Sequence, residues 1–189
     1  MDSSHNGKRR LKKQNPLPVP GGGFFTDIPE GNLKGRHIME TIKNANEAWL
    51  REELQFINGT MAHTLNGRLM AELESVDDAA RELTLRFPLQ DWQVNGLGTL
   101  HGGIINTMMD LAMSMVIYCY SRETIPPTVS MTTNYLRPVP MAGSVLIRTR
   151  VTSIGRRNAT AYCEAIVPES GKTACTAVGT YAIIPKQKG

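Results

Sequence analysis

A glycine-rich turn that opens directly into an apolar helix constrains this chain more than any other feature. Asn95-Gly96-Leu97-Gly98-Thr99-Leu100-His101-Gly102-Gly103 runs straight into Ile104-Ile105-Asn106-Thr107-Met108-Met109-Asp110-Leu111-Ala112-Met113-Ser114-Met115-Val116-Ile117-Tyr118-Cys119-Tyr120. Helical spacing sets Thr107, Asp110 and Ser114 along one stripe, while Ile104, Met108, Leu111, Ala112, Met115 and Cys119 occupy the rest of the surface. A helix that is apolar nearly all round is a buried helix. An ionised carboxylate inside it costs several kcal/mol or more unless something stabilises it, so Asp110 calls for a reason, and catalysis is one.

The glycines supply the other half of that reason. The first turn of a helix has backbone N–H groups with no intrahelical acceptor, and the helix dipole makes that end attractive to negative charge. Gly102 and Gly103 have no Cβ, so a ligand oxygen can come close to those donors, and a carbonyl held there would build its oxyanion on amides already oriented. Asp110 lies roughly 12 Å further along the axis by helix rise. Either a long substrate bridges that distance or a second subunit supplies the carboxylate. The residues alone also allow a plain tight turn at His-Gly-Gly with Asp110 hydrogen-bonded to a neighbouring loop.

At 189 residues the chain has a one-domain length. No apolar run approaches the roughly 20 residues of a spanning helix, and charges stand where a signal peptide needs its apolar region. A soluble, cytoplasmic protein with no membrane span is expected. Cys119, Cys163 and Cys175 sit inside apolar patterns without metal-ligand spacing, which predicts buried thiols and no metal site. The net charge of +4 leans on Lys8-Arg9-Arg10-Leu11-Lys12-Lys13, which reads as a solvated tail, so nucleic acid is not an expected partner. Pro16-Leu17-Pro18-Val19-Pro20-Gly21-Gly22-Gly23 reads as a linker. Residues 1–35 are therefore expected as tail and linker, 36–60 as a preceding helix and 61–189 as the main domain.

Apolar spacing predicts an amphipathic helix from about His37 to Ile57. A hairpin of Arg68–Ser75 and Glu82–Pro88 is expected next, turning at Val76-Asp77-Asp78-Ala79. The apolar helix follows over Gly102–Ser121, and then strands over Thr128–Leu136, Ser144–Ile154, Ala159–Val167 and Thr173–Ile184. An antiparallel sheet curled around one buried helix, an α+β architecture, satisfies that order.

Asn95, the Gly98-to-Gly103 run and Asp110, followed by Val129-Ser130 and Tyr135-Leu136-Arg137-Pro138, resemble the hotdog-fold acyl-CoA thioesterases. The resemblance is to the phenylacetate-pathway (PaaI-like) and 4-hydroxybenzoyl-CoA type, and it covers about residues 65 to 185. It implies that Asp110 attacks the thioester or activates water, and that the Gly102 amide polarises the thioester carbonyl. It also implies that Asn95 helps hold the water or thioester, that a hydroxyl matching Ser130 comes from the partner subunit, and that Ser114 is a further active-site hydroxyl. The family builds its site at a dimer interface, so a homodimer or homotetramer is expected. Coenzyme A would be part of the substrate, and no separate cofactor is implied.

His101 is expected to fix the turn, since Asp110 already meets the need for a base. Gly103 and Thr107 would line the substrate site beside Gly102. Arg137, Arg156 and Arg157 are candidates for the phosphates of coenzyme A, because guanidinium forks suit phosphate oxygens. Hotdog hydratases carry a His five residues after the Asp, where this chain has Met115. The remaining alternative is a non-catalytic acyl-CoA sensor.

Overall fold

The computed structural model describes residues 35–122 and 124–185. The basic run at Lys8–Lys13 and the linker expected after it lie outside them.

Helix α1 (Gly35–Gly59) and a single helical turn, α2 (Leu65–Arg68), precede a hairpin of β1 (Glu72–Asp77) and β2 (Glu82–Pro88). Helix α3 (Gly102–Ser121) follows. Its bounds are those expected from the pattern, because glycine punctuation opens it and the apolar run fills it. After α3 come β3 (Thr124–Ile125), β4 (Thr128–Tyr135), β5 (Ser144–Ile154), β6 (Asn158–Val167), β7 (Lys172–Ala182) and β8 (Ile184–Pro185). Six strands form one antiparallel sheet in the order β1-β2-β5-β6-β7-β4, and β3 pairs with β8.

The sheet curls around α3, which packs chiefly on β5 and β6. Ile105, Met108, Met109, Leu111, Ala112, Met113, Met115, Val116, Ile117 and Cys119 of α3 are buried against Leu83, Leu85 and Phe87 of β2, Val145 and Ile147 of β5, and Ala161, Cys163 and Ala165 of β6. Burying one such aliphatic side chain contributes about 1.5–3 kcal/mol, so this helix is the centre of the fold's stability. By length and composition alone α3 would also pass for a membrane span, contrary to the reading that no segment does. Here the sheet covers it, which accounts for its apolarity.

Helix α1 lies against the edge strand β1 and buries Leu50, Leu54 and Ile57. Its Asn46 donates to Asp78 Oδ1 at 2.5 Å, and Tyr120 from the last turn of α3 donates to the same oxygen at 2.8 Å. Trp49 meets Tyr118 edge-on at 4.9 Å. The expected first strand over Arg68–Ser75 starts later, at Glu72. Thr64 caps α2 by accepting from the Gly67 amide, and the chain turns so tightly there that a Cβ on Gly67 would meet Met61 O. Local capping overrides the alternation across 68–71.

Candidate active site

The N-terminus of α3 spends all but one of its first four amides. His101 is the N-cap, with extended backbone, and its Nδ1 accepts from Gly103 N at 2.9 Å. The His101 carbonyl accepts from Ile104 N and Ile105 N at 2.9 and 3.1 Å. Its own amide donates to Gln93 O at 2.9 Å, tying the cap to the preceding loop. The absence of a side chain at 103 serves this cap, since a Cβ there would stand 3.2 Å from His101 Nδ1. Among the described residues no protein group accepts from Gly102 N. That amide is the donor the helix dipole leaves open to an anion.

A groove of about 340 Å³ opens beside it. Leu100, Ile105, Leu136, Val139 and Cys175 give it an apolar lining, and Asn95, Thr99, Tyr135 and Arg137 contribute polar atoms. The Tyr135 hydroxyl donates to Gly102 O at 3.0 Å. Asn95 is largely spent on its own loop. Its Oδ1 accepts from Leu97 N at 2.8 Å and Thr99 N at 3.2 Å, while its Nδ2 donates to Thr99 Oγ1 at 2.9 Å. Arg137 donates to Thr173 O.

The carboxylate of Asp110 has one oxygen engaged and one open. Thr128 Oγ1 donates to Oδ1 at 2.8 Å, and the Tyr181 hydroxyl donates to the same Oδ1 at 2.9 Å. Among the described residues nothing donates to Oδ2. Tyr181 is fully buried. Burial, and then the Asp110 charge beside it, push its phenol far above the usual range, so it stays a neutral donor.

Thr128 reaches Asp110 because of a bulge in β4. Thr128 pairs with Tyr181 and Ser130 with Thr180, so Val129 is an extra residue between them. Met131, Thr133 and Tyr135 face α3 by strand alternation, and without the bulge Thr128 would face away. The same bulge leaves the exposed Ser130 on the opposite face. Within the chain the hydroxyls that reach Asp110 are those of Thr128 and Tyr181, whereas Ser130, assigned by the resemblance to the partner's site, points away from Asp110 of its own chain.

The stripe of α3 that faces β4 is Gly102, Asn106 and Asp110, at intervals of four residues. Tyr135, Thr133 and Thr128 meet them in turn, with Thr133 Oγ1 donating to Asn106 Oδ1. Thr107 and Ser114 turn back onto their own helix, donating to Gly103 O and Leu111 O at 2.9 Å each. Gly103 spends its amide on His101. Arg156 and Arg157 are exposed in the β5–β6 turn, where the Arg157 carbonyl accepts from Ile183 N at 2.8 Å. Thr128, Tyr181 and Asn106 were not singled out in the sequence, and Tyr135 stood there only as part of the resembling motif, because the partners that give them meaning lie on other elements.

The three cysteines are buried and free, and burial raises Cys119, Cys163 and Cys175 to about 11, 12 and 11. They are inert thiols. Among the described residues no cluster of His, Cys, Asp and Glu could hold a metal ion.

A curled six-stranded sheet wrapped around one central helix is the hotdog architecture, and here it holds an open helix-terminal amide and an inward carboxylate. Residues 97–174 match the thioesterase-superfamily model. A Caenorhabditis elegans protein named as an esterase is 26% identical over 148 residues, spanning 78% of this chain and 88% of that protein. Mouse acyl-coenzyme A thioesterase 13 is 26% identical over 105 residues, 56% of this chain and 75% of that one. The crystal structure of zebrafish thioesterase superfamily member 2 superposes with a TM-score of 0.62 at 23% identity, covering 70% of this chain and 97% of that chain, which speaks for the fold.

Proposed function

We propose that this protein hydrolyses acyl- or aryl-coenzyme A thioesters, with Asp110 as the reacting carboxylate and the Gly102 amide as the oxyanion donor. The observation that carries this reading is the division of labour at Asp110, where two hydroxyls occupy Oδ1 and leave Oδ2 to act. As general base, Oδ2 takes a proton from water as the water oxygen bonds to the thioester carbon. The negative charge on the carbonyl oxygen is met by Gly102 N–H, and collapse breaks the carbon–sulfur bond, the proton passing from Asp110 to the departing sulfur. As nucleophile, Oδ2 would itself bond to that carbon and water would then cleave the anhydride. Single turnover in ¹⁸O-labelled water, with enzyme in excess, detects the anhydride route when water attacks its aspartyl carbon, since the first product then carries an unlabelled oxygen from Asp110 and the label stays in Asp110, whereas direct attack of water on the thioester labels the product.

A homodimer through β4 supports the same reading. This strand is a free edge of the sheet, without a charged residue or proline to blunt it, and Val129 and Tyr135 are exposed on it by 62% and 56%. The other edge, β1, carries Glu72, Glu74 and Asp77 and is covered by α1. Antiparallel pairing of two β4 strands about a two-fold axis would set Thr128 opposite the partner's Tyr135. Asp110 faces Thr128 and Gly102 faces Tyr135, so the same operation would bring Asp110 toward the partner's Gly102. Asn95 and Arg137 at the groove, and Arg156 and Arg157 at the turn, remain expected contacts for the thioester and for coenzyme A phosphates.

A panel of acyl- and aryl-coenzyme A thioesters, followed by free-thiol release, tests the assignment. Hydrolysis of at least one class, lost in Asp110→Asn, is the expected result. Binding of coenzyme A thioesters without turnover would overturn it.

A further inference from the structure

We infer that Tyr181 is a positioning residue for the reaction, holding the Asp110 carboxylate so that Oδ2 alone is presented to substrate. The inference rests on the reading of Asp110 as the reacting group. Tyr181 lies on β7 directly opposite Thr128 of β4, and both side chains turn inward to one oxygen. The phenol also reaches the Asp110 main-chain carbonyl at 3.3 Å, so one buried hydroxyl spans the backbone and the side chain of the same residue. A carboxylate on a mid-helix position rotates about two torsions; two donors on one oxygen remove that freedom and fix which oxygen remains.

The room for this ring is made by Gly179. A Cβ at 179 would stand 2.7 Å from the Tyr181 ring, 3.1 Å from its hydroxyl and 3.1 Å from the end of Met113. Gly179 and Tyr181 share the inner face of β7, two residues apart, so the glycine vacates the space over which the phenol lies. Plain core packing would be met by Phe in the same place. What Phe lacks is the hydroxyl, and in a fully buried position that hydroxyl is costly unless it is used.

The test compares Tyr181→Phe in the wild-type and in the Asp110→Asn background, with phenylacetyl-coenzyme A and lauroyl-coenzyme A as substrates and free thiol as readout. Loss of a hydrogen bond to a charged group predicts a fall in kcat of about tenfold or more in the wild-type background, with KM and melting temperature nearly unchanged. On Asp110→Asn the same substitution is expected to change the residual rate by less than about twofold, because a residue acting through Asp110 has nothing left to act on. A kcat within about twofold of wild type, or equal losses in both backgrounds, overturns the positioning role. If Asp110→Asn itself retains turnover, the assignment of Asp110 fails instead, which is a separate outcome. Should Tyr181→Phe melt early, Thr128→Val carries the test, since it removes the other donor, with light scattering to check that pairing through β4 is unchanged. Full turnover in Thr128→Val would then overturn the requirement for a pinned Oδ1.

Discussion

Gly102 and Asp110 stand eight residues apart on one helix and face opposite ends of β4, Gly102 beside Tyr135 and Asp110 beside Thr128. Helix rise separates them by roughly 12 Å, too far for both to meet one thioester carbonyl within a protomer. The separation becomes useful only if the strand meets its own copy running the other way.

Asp110→Asn keeps the shape of the side chain and removes its charge. Turnover is expected to fall by at least the roughly 10²-fold typical of a lost general base, with thioester binding largely retained. Initial rates and isothermal titration with coenzyme A check it.

Gly102→Pro deletes the proposed oxyanion donor and little else. Proline is favoured at the first helical position, and the extended backbone of His101 suits the residue before it. A side chain at 102 meets only Tyr135, at 3.5 Å or more. The fold should therefore survive while kcat drops about 10²–10³-fold. Mixing this variant with Asp110→Asn should restore about a quarter of the wild-type rate, because a mixed dimer contains one intact site of two. No recovery after subunit exchange verified by light scattering would exclude a shared site.

His101→Ala removes the acceptor for Gly103 N. A lost N-cap costs about 1 kcal/mol, which for a domain of this size lowers the melting temperature by about 2–4 °C. His101→Asn, which can cap in the same way, should recover most of that loss. Calorimetry of the pair separates a capping role from a chemical one.

Glu164 sits beside Arg148 at 2.5 Å, and that hydrogen bond holds its carboxyl below the ordinary 4.5. A depressed carboxylate contributes stability above its unfolded value and loses it as pH falls through the folded value. Melting temperatures followed downward from about pH 5 should fall less steeply in Glu164→Gln than in the wild type. The partly exposed position keeps the effect small.

The buried thiols predict silence toward Ellman's reagent in the native protein at neutral pH and full reaction on unfolding. The native state holds thiol protons that an unfolded chain releases near 9.0, so stability should decline as pH rises from 9.0 toward about 11. Alkaline melting curves check the sign.

The sequence made α3 legible to the residue, because a glycine turn and an unbroken apolar run are local signals. It also marked Asp110, and His101 as a residue of the turn, while the cap that His101 makes on Gly103 N emerged only with the structure. Less legible was which face of the helix turns toward β4. Thr107 and Ser114 share Asp110's stripe by spacing, yet both hydroxyls bond to their own helix, and Asn106 is the residue that joins Gly102 and Asp110 along β4. The choice between those faces is set by which strand packs against α3. That is a long-range fact, and the bulge at Val129, which decides between Thr128 and Ser130, is another. The ties of Asn95 to Leu97 and Thr99 were not legible either, because they arise only once the loop has closed.

The space left empty at Gly179 makes that position and Tyr181 a single unit of variation. A side chain added at 179 would evict the phenol, and a smaller residue at 181 would leave a hollow that glycine cannot fill. Adding a side chain at 179 alone, or removing the ring at 181 alone, is a dead end, whereas a library that varies both at once can explore other ways of gripping Asp110. In divergent copies of this domain, the two positions should therefore be found to have changed in concert.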